Sequence, residues 1–270
     1  MLSKLLKYEF RATGRILLPM LGAVTGLILL ANLSVRLLDR VQSGLLVFVF
    51  GFVIVAAFIA VILAEIMPVI VMVLRFYRNL LGSEGYLMHT LPVNVHQLVW
   101  SKLIVSLVWV FVTNLFIFLL GGLSALFQSG TNLAEIFRGL PSLAELAEMF
   151  PGVTAANLTT LLVEICVLII LASLVSCLHF YAAMSLGHIF SRDKILMSVL
   201  FFIGITILFN VLGNLLSLAG IRHAVNLESF EATWRTVLTA GGWAMLGLAI
   251  RGAILYLFTV LGLRRGLNLA

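Results

Sequence analysis

Three ionisable side chains lie inside long apolar stretches of the sequence: Glu65, Glu164 and Arg251. Charged groups are costly in hydrocarbon, so such residues mark substrate paths or structural ion pairs. At 1.5 Å per residue, Arg251 lies roughly 20 Å before the end of its apolar run, and Glu164 lies at a similar depth in a span that just crosses the bilayer. We therefore predict that Arg251 pairs with Glu164, with Glu65 as the alternative partner, as a structural tie or in a substrate path.

Hydrolysis inside the membrane would need a nucleophile with its base, and Ser176 and His179 are spaced to meet on one helix. A helical hydroxyl more often bonds to a carbonyl of its own chain, and the sequence offers no third group or oxyanion donors. Cys166 and Cys177 are expected to pack as small apolar side chains. Without His-Glu-x-x-His or Cys-x-x-Cys, we predict neither catalytic residues nor a metal site.

A phosphate-binding loop is also missing from the sequence. Its pattern, G-x-x-x-x-G-K-[ST], requires a glycine directly before the lysine. The four lysines instead follow Ser3, Leu6, Ser101 and Asp193. Any work driven by ATP would therefore use ATP and Mg²⁺ bound by another chain, and no cofactor is expected in this one.

The composition is that of an integral membrane protein, with 62% of the 270 residues hydrophobic and 10% charged. Lysine and arginine outnumber the acidic residues by 17 to 11. No basic stripe with interleaved aromatic residues occurs, so nucleic acid is not an expected partner.

Six apolar runs are long enough to cross a bilayer. The sequence therefore predicts an all-α, polytopic protein forming one transmembrane domain over residues 1–270. The halves of the chain do not match as inverted repeats. The six predicted spans are 16–35, 44–74, 103–127, 158–186, 195–218 and 237–263.

Three further segments are not predicted to cross the membrane. Residues 1–15 place Leu2, Leu6 and Phe10 at helical spacing, with Lys7 and Glu9 on other faces, as in an amphipathic surface helix. Residues 75–102 form the longest polar interval on the side of the membrane that the basic residues, counted below, assign to the cytoplasm. Residues 128–157 are expected to contain a short amphipathic helix on the outer surface.

The basic residues orient these spans. With the N-terminus inside, eleven of the 17 lie in cytoplasmic segments and five in outer ones. Short inner loops carry the excess of lysine and arginine, which predicts that both termini are cytoplasmic.

The interval 75–102 contains start and stop signals for a short helix. Gly82 is expected to end the helix that precedes it. Ser83 and Glu84 are good helix openers, and Leu91 and Pro92 end the short helix that follows. Such a helix between two spans has the geometry of a docking element, although an ordinary connecting loop is the alternative.

At these residues the chain resembles the permease subunits of ABC transporters of the type-two exporter class, more narrowly those of antibiotic-peptide export and immunity systems. The opening MLSKLLKYEFRATGR before an apolar run is similar to the family's opening. The first cytoplasmic loop carries the rest of the resemblance, through Gly82, Glu84, Gly85, Tyr86, Leu87, Thr90, Leu91 and Pro92, with Ser101 and Lys102.

The resemblance implies roles for these segments. The loop would be a coupling helix in a groove of a separate ATPase, contacted through Glu84, Gly85, Tyr86, Leu87, Thr90, Leu91 and Pro92, and residues 1–15 would be an elbow helix. It implies a second permease, identical or a sister chain, in the plasma membrane among its lipids. Export of a peptide, lipid or drug-like molecule would follow.

The chain departs from the family on its outer side. The longer outer segment lies between spans three and four, whereas well-described relatives have theirs between spans five and six. A secondary transporter without an ATPase, and a membrane scaffold or sensor subunit that does not transport, are the alternative functions.

Overall fold

Six long helices follow the six apolar runs. In the computed structural model, the described residues are 2–38, 40–82, 85, 94–130, 141–149, 153–190, 193–224 and 230–264, without the side chains of 143, 216–224 and 230–236. No strand occurs in these ranges. The helices are α1 (Leu2–Leu38), α2 (Gly44–Phe76), α3 (Val95–Ser129), α4 (Leu143–Glu148), α5 (Ala155–Gly187), α6 (Lys194–Ala224) and α7 (Phe230–Arg264).

All of these except the short α4 are long and apolar enough to cross a membrane. Large apolar side chains are exposed along them, as expected for surfaces that face lipid rather than water; Phe58 and Phe118 are examples. The prediction of an all-helical, multi-pass membrane protein is confirmed at this level.

Several helix ends differ from the predicted ones. α3 begins at Val95, so the last part of the predicted loop 75–102 is helical, and that boundary was wrong. No glycine or proline interrupts residues 95–102, and the polar Lys102 is buried by a partner on α1 instead of facing water. Residues 2–15 belong to α1 without a break.

α2 continues into a π-helical segment, Tyr77–Leu81, that ends at Gly82. The Gly82 amide donates to the Tyr77 carbonyl at 2.8 Å, and the extended backbone at Gly82 then stops the helix. The predicted stop is thus confirmed. A side chain at Gly82 would come within 2.9 Å of the Arg78 carbonyl oxygen, so the turn requires glycine.

The chain divides into two compact units. The first comprises Met1–Leu74 and Trp100–Leu140, and the second comprises Arg75–Val99 and Pro141–Ala270. The segment Arg75–Val99, which follows the second span, is therefore grouped with the last three spans rather than with the first two.

The first unit has an apolar core formed by α1, α2 and α3. It is built from Leu17, Val71, Met72, Val105 and Trp109. Beside it, Lys102 forms a buried ion pair with Glu9, which the sequence pattern had placed on a polar face. That placement was wrong because the lysine on α3 neutralises the carboxylate. The Trp109 indole also donates to the Thr13 hydroxyl at 2.7 Å.

In the second unit, α7 packs alongside α5 with the two helices parallel. Three glycines on one face of α7 set their register, since ten or eleven residues make about three helical turns. A Cβ atom at any of these positions would contact a residue of α5. It would meet Glu164 from position 241, Val175 from position 252 and Ser185 from position 262. The helices approach closely through these small residues.

α4 lies against α5, with its buried Ala147 as predicted for an amphipathic helix. Its first turn is closed by a capping box, in which the Ser142 hydroxyl accepts from the Glu145 amide and the Glu145 carboxylate accepts from the Ser142 amide.

Gly262→Ala is expected to destabilise the protein by about 1–3 kcal/mol, because the new methyl group would lie 2.8 Å from Ser185 Cβ. Gly247 on the same helix meets nothing within 4 Å, so Gly247→Ala is the matched control. It is expected to be neutral or stabilising by up to about 1 kcal/mol, since alanine favours helix. Thermal unfolding in detergent measures both. Equal effects would contradict the proposed close approach.

Candidate functional site: an arginine pocket in the second unit

An open pocket of about 340 Å³ lies between α5, α6 and α7. Its polar lining comes from one or two side chains of each helix: Ser176, His179, Thr206 and Arg251. Aromatic and aliphatic side chains form the remaining wall, chiefly Val175, Phe180, Phe202 and Leu248. The pocket therefore combines an apolar surface with one permanent positive charge.

His179 connects the three helices. Its Nδ1 lies 3.2 Å from Arg251 Nη2, and its Nε2 lies 3.0 Å from the Thr206 hydroxyl and 3.2 Å from the Phe202 carbonyl. A guanidinium can only donate, so Nδ1 accepts and the imidazole proton is on Nε2. The Thr206 hydroxyl donates to the Phe202 carbonyl at 2.7 Å and is left with lone pairs for Nε2–H. His179 is thereby held neutral and in one orientation.

Arg251 lies near the middle of α7, thirteen residues before Arg264, or roughly 20 Å along the helix. Its guanidinium carbon is 4.7 Å from the centroid of the Phe209 ring, a cation–π contact. Its Nε is buried and has no hydrogen-bond partner among the described residues. The Arg251 guanidinium is thus held in position by one imidazole and one aromatic ring.

The predicted pairing of Arg251 with Glu164 was wrong. The Glu164 carboxylate lies against Gly241, where a Cβ would come within 2.6 Å of Oε2. Gly241 precedes Arg251 by ten residues, roughly 15 Å of helix. The prediction failed because α5 continues for 23 residues beyond Glu164, roughly 34 Å, so this carboxylate lies farther from the C-terminal end of α5 than it would in a helix that just spans the bilayer.

Glu65, the alternative partner, is half-buried in α2 and belongs to the first unit. Its pairing with Arg251 stays a prediction.

Ser176 and His179, which are spaced to meet on one helix, do not form a pair of nucleophile and base in the structure. Ser176 lines the same pocket, but both nitrogens of the imidazole are already engaged by Arg251 and by Thr206 with the Phe202 carbonyl. The Nδ1 lone pair that would accept a proton from a serine is occupied by the guanidinium.

Most residues predicted to contact an ATPase lie outside the described part of the chain: Glu84, Tyr86, Leu87, Thr90, Leu91 and Pro92. Gly85 is described; it is buried, and its amide donates to the Gly82 carbonyl at 2.9 Å. The described flanks of the loop show how it is held.

The flank before the loop packs on α5. The rings of Phe76 and Tyr181 stack with centroids 4.0 Å apart and an interplanar angle of 10°. Tyr77 meets the His188 ring edge-on at 5.3 Å. Leu80 and Leu81 are buried as well, so the π-helical segment is fixed against the rest of the second unit.

The flank after the loop packs on α7. His96 Nδ1 lies 2.6 Å from the Tyr256 hydroxyl, and Arg264 Nη2 lies 2.9 Å from His96 Nε2. Both ends of the loop are therefore attached to the helices that carry His179 and Arg251.

His188, at the C-terminal cap of α5, is expected to make stability depend on pH. Burial, and secondarily the charge of Lys194, lowers the pKa of His188 below its ordinary value, despite a bond to the Met184 carbonyl that acts in the opposite direction. His188 is thus protonated more easily in the unfolded chain than in the folded one. The stability that the neutral His188 contributes is therefore fully present above about pH 6.5 and is lost as the pH falls. Between pH 7.5 and 5, the free energy of unfolding should fall less in His188→Gln than in the wild type. Parallel curves would contradict this.

Comparison with known proteins gives no relative, since no family model, curated protein or solved structure matches the chain.

Proposed function

We propose that the chain is the membrane-spanning permease subunit of an ATP-driven exporter of the ABC class. It works in the plasma membrane with both termini in the cytoplasm. Six apolar helices support this proposal. In it, ATP and Mg²⁺ are bound by a separate ATPase chain, in keeping with a sequence that has no phosphate-binding loop. A second permease copy or a sister chain completes the path.

The observation that carries the proposal is the attachment of both loop flanks to pocket-bearing helices. Tyr181, which holds the flank before the loop, follows His179 by two residues on α5. Tyr256, which holds the flank after the loop, follows Arg251 by five residues on α7. A displacement of the loop would thus be passed through helices to the polar pocket, which is the contiguous contact that coupling between two sites requires.

The loop itself is the proposed ATPase contact. Glu84 to Pro92 would form the coupling helix, and the first residues of α1 would act as the elbow helix. Tyr86 offers an aromatic ring of the kind that anchors protein interfaces, and Glu84 offers a negative charge that a basic residue of the ATPase would complement.

Charge reversal in the loop tests this assignment. A tagged chain isolated from native membranes is expected to bring down a subunit that binds and hydrolyses ATP, and Glu84→Lys or Tyr86→Ala should reduce its recovery at least tenfold. Glu148→Lys, at an exposed position on α4, makes the same charge change away from the loop and should leave recovery unchanged. Absence of any ATPase from the wild-type preparation would instead favour a secondary transporter or a scaffold subunit.

A further inference from the structure

We propose that the pocket around Arg251 binds the anionic head of an amphiphile, a carboxylate or a phosphate, whose apolar chain lies against the pocket's aromatic wall. The assignment rests on the charge, the unused donors, the size and the lining of the pocket. That this amphiphile is the exported cargo rests on the proposed function, whereas its binding does not.

The charge in the pocket is not balanced by the residues that contact it. His179 accepts from Arg251 as a neutral imidazole, and the Phe209 ring supplies only its quadrupole. Among the described residues of the second unit, no carboxylate lies within ion-pair distance of Arg251. A guanidinium held this way in a low-dielectric setting gains most from an anion.

Arg251 also keeps donors for a ligand. One of its five N–H groups is used by His179, and the buried Nε–H has no acceptor in the described structure. The fork of Nε and Nη is the geometry that binds carboxylate and phosphate oxygens in pairs. His179 acts as a positioning residue, because its bonds to α6 fix the imidazole that holds the guanidinium.

The size of the pocket and its depth in the membrane indicate what the rest of the ligand is. A volume of about 340 Å³ lies within the usual range for small-molecule sites and suits a head group with part of a chain. Phe180, Phe202 and Leu248 supply apolar contacts for that chain. Arg251 is roughly 20 Å from the end of α7, a depth that a hydrated inorganic anion reaches poorly and an amphiphile reaches through the bilayer.

Binding to the purified full-length chain in a neutral detergent tests the proposal. Isothermal titration with laurate and dodecyl phosphate should show saturable binding, whereas dodecanol and inorganic phosphate should bind at least tenfold more weakly. Phosphatidic acid distinguishes the sources: comparable binding identifies a membrane-lipid head group, and binding of the single-chain probes alone identifies a free amphiphile. Dodecanol binding as tightly as laurate would overturn the proposal.

Arg251→Gln should lower the affinity for laurate about tenfold to a hundredfold, the usual effect of losing charge-assisted hydrogen bonds. Arg36→Gln is the matched control, because Arg36 also lies over a ring, that of Phe127, but in the first unit. It should leave binding unchanged. Wild-type affinity in Arg251→Gln would overturn the proposal.

A second variant keeps the charge of Arg251 and fills the space of the pocket. Ala172 lines the pocket, and Ala172→Phe should lower the affinity for laurate at least tenfold while Arg251 stays in place. Unchanged binding in this variant would overturn the proposal even where Arg251→Gln does not fold. Recovery of the ATPase from membranes is measured separately, so failure of the pocket proposal and failure of the permease proposal are told apart.

Discussion

Lys102→Met is expected to destabilise the protein by about 3–5 kcal/mol, because it removes the Lys102 ammonium group from the buried Glu9 carboxylate, and breaking one side of a buried ion pair is costly. Lys102 is 3% exposed and Glu9 is 6% exposed, so water cannot replace the lost ion pair. Thermal unfolding in detergent, or the yield of folded protein, measures the loss. Glu9→Leu combined with Lys102→Met should recover most of the stability, since it removes both charges together.

Lys7→Met is the control for Lys102→Met. Lys7 is exposed on the same α1 that carries Glu9, so removing its charge should change stability by less than about 0.5 kcal/mol. If Lys102→Met were no more damaging than Lys7→Met, the buried pair would not be holding α1 against α3.

Tyr181→Ala is expected to destabilise the protein by about 3–5 kcal/mol and to release Tyr77–Leu81, the flank before the loop. Tyr181 is 1% exposed and stacks on Phe76 at 4.0 Å, so truncation removes a buried ring and leaves a large cavity. Hydrogen exchange measures the local consequence: the amides of Tyr77–Leu81 should exchange faster, because their packing partner is gone.

Tyr181→Phe is the matched control, since it keeps the stacked ring and removes only the hydroxyl. Exchange in Tyr77–Leu81 should then remain within about threefold of wild type. Equal acceleration in the two variants would show that the ring stack does not hold the loop flank.

The six helices could be predicted from the sequence because apolar runs of bilayer length have few alternatives. Some of their ends could not, since polar residues at an end are assigned to a loop unless a partner is known, whereas the stop at Gly82 had a sequence signal. Lys102 shows this: its charge indicated the loop, but Glu9 on α1 neutralises it inside α3. The π-helical geometry of Tyr77–Leu81 had no sequence signal that we recognise.

The pocket was predicted only in part. Arg251 and His179 were both noted, but α5, α6 and α7 are apolar on every side, so periodicity does not say which faces meet. A signal for the register was present in Gly241, Gly252 and Gly262, which are spaced about three turns apart on one face. Aligning that face with α5 would have excluded Glu164 as the partner of Arg251.

The proposed contact between the loop and an ATPase can be tested by photo-crosslinking in native membranes. A benzophenone side chain is placed at Tyr86 and, as a control, at Phe127 near the opposite end of the third span. We expect the Tyr86 variant to form an adduct with a subunit that binds ATP, and the Phe127 variant to form no adduct with that subunit. Adducts of the Tyr86 variant that contain no ATP-binding chain would contradict the proposed contact.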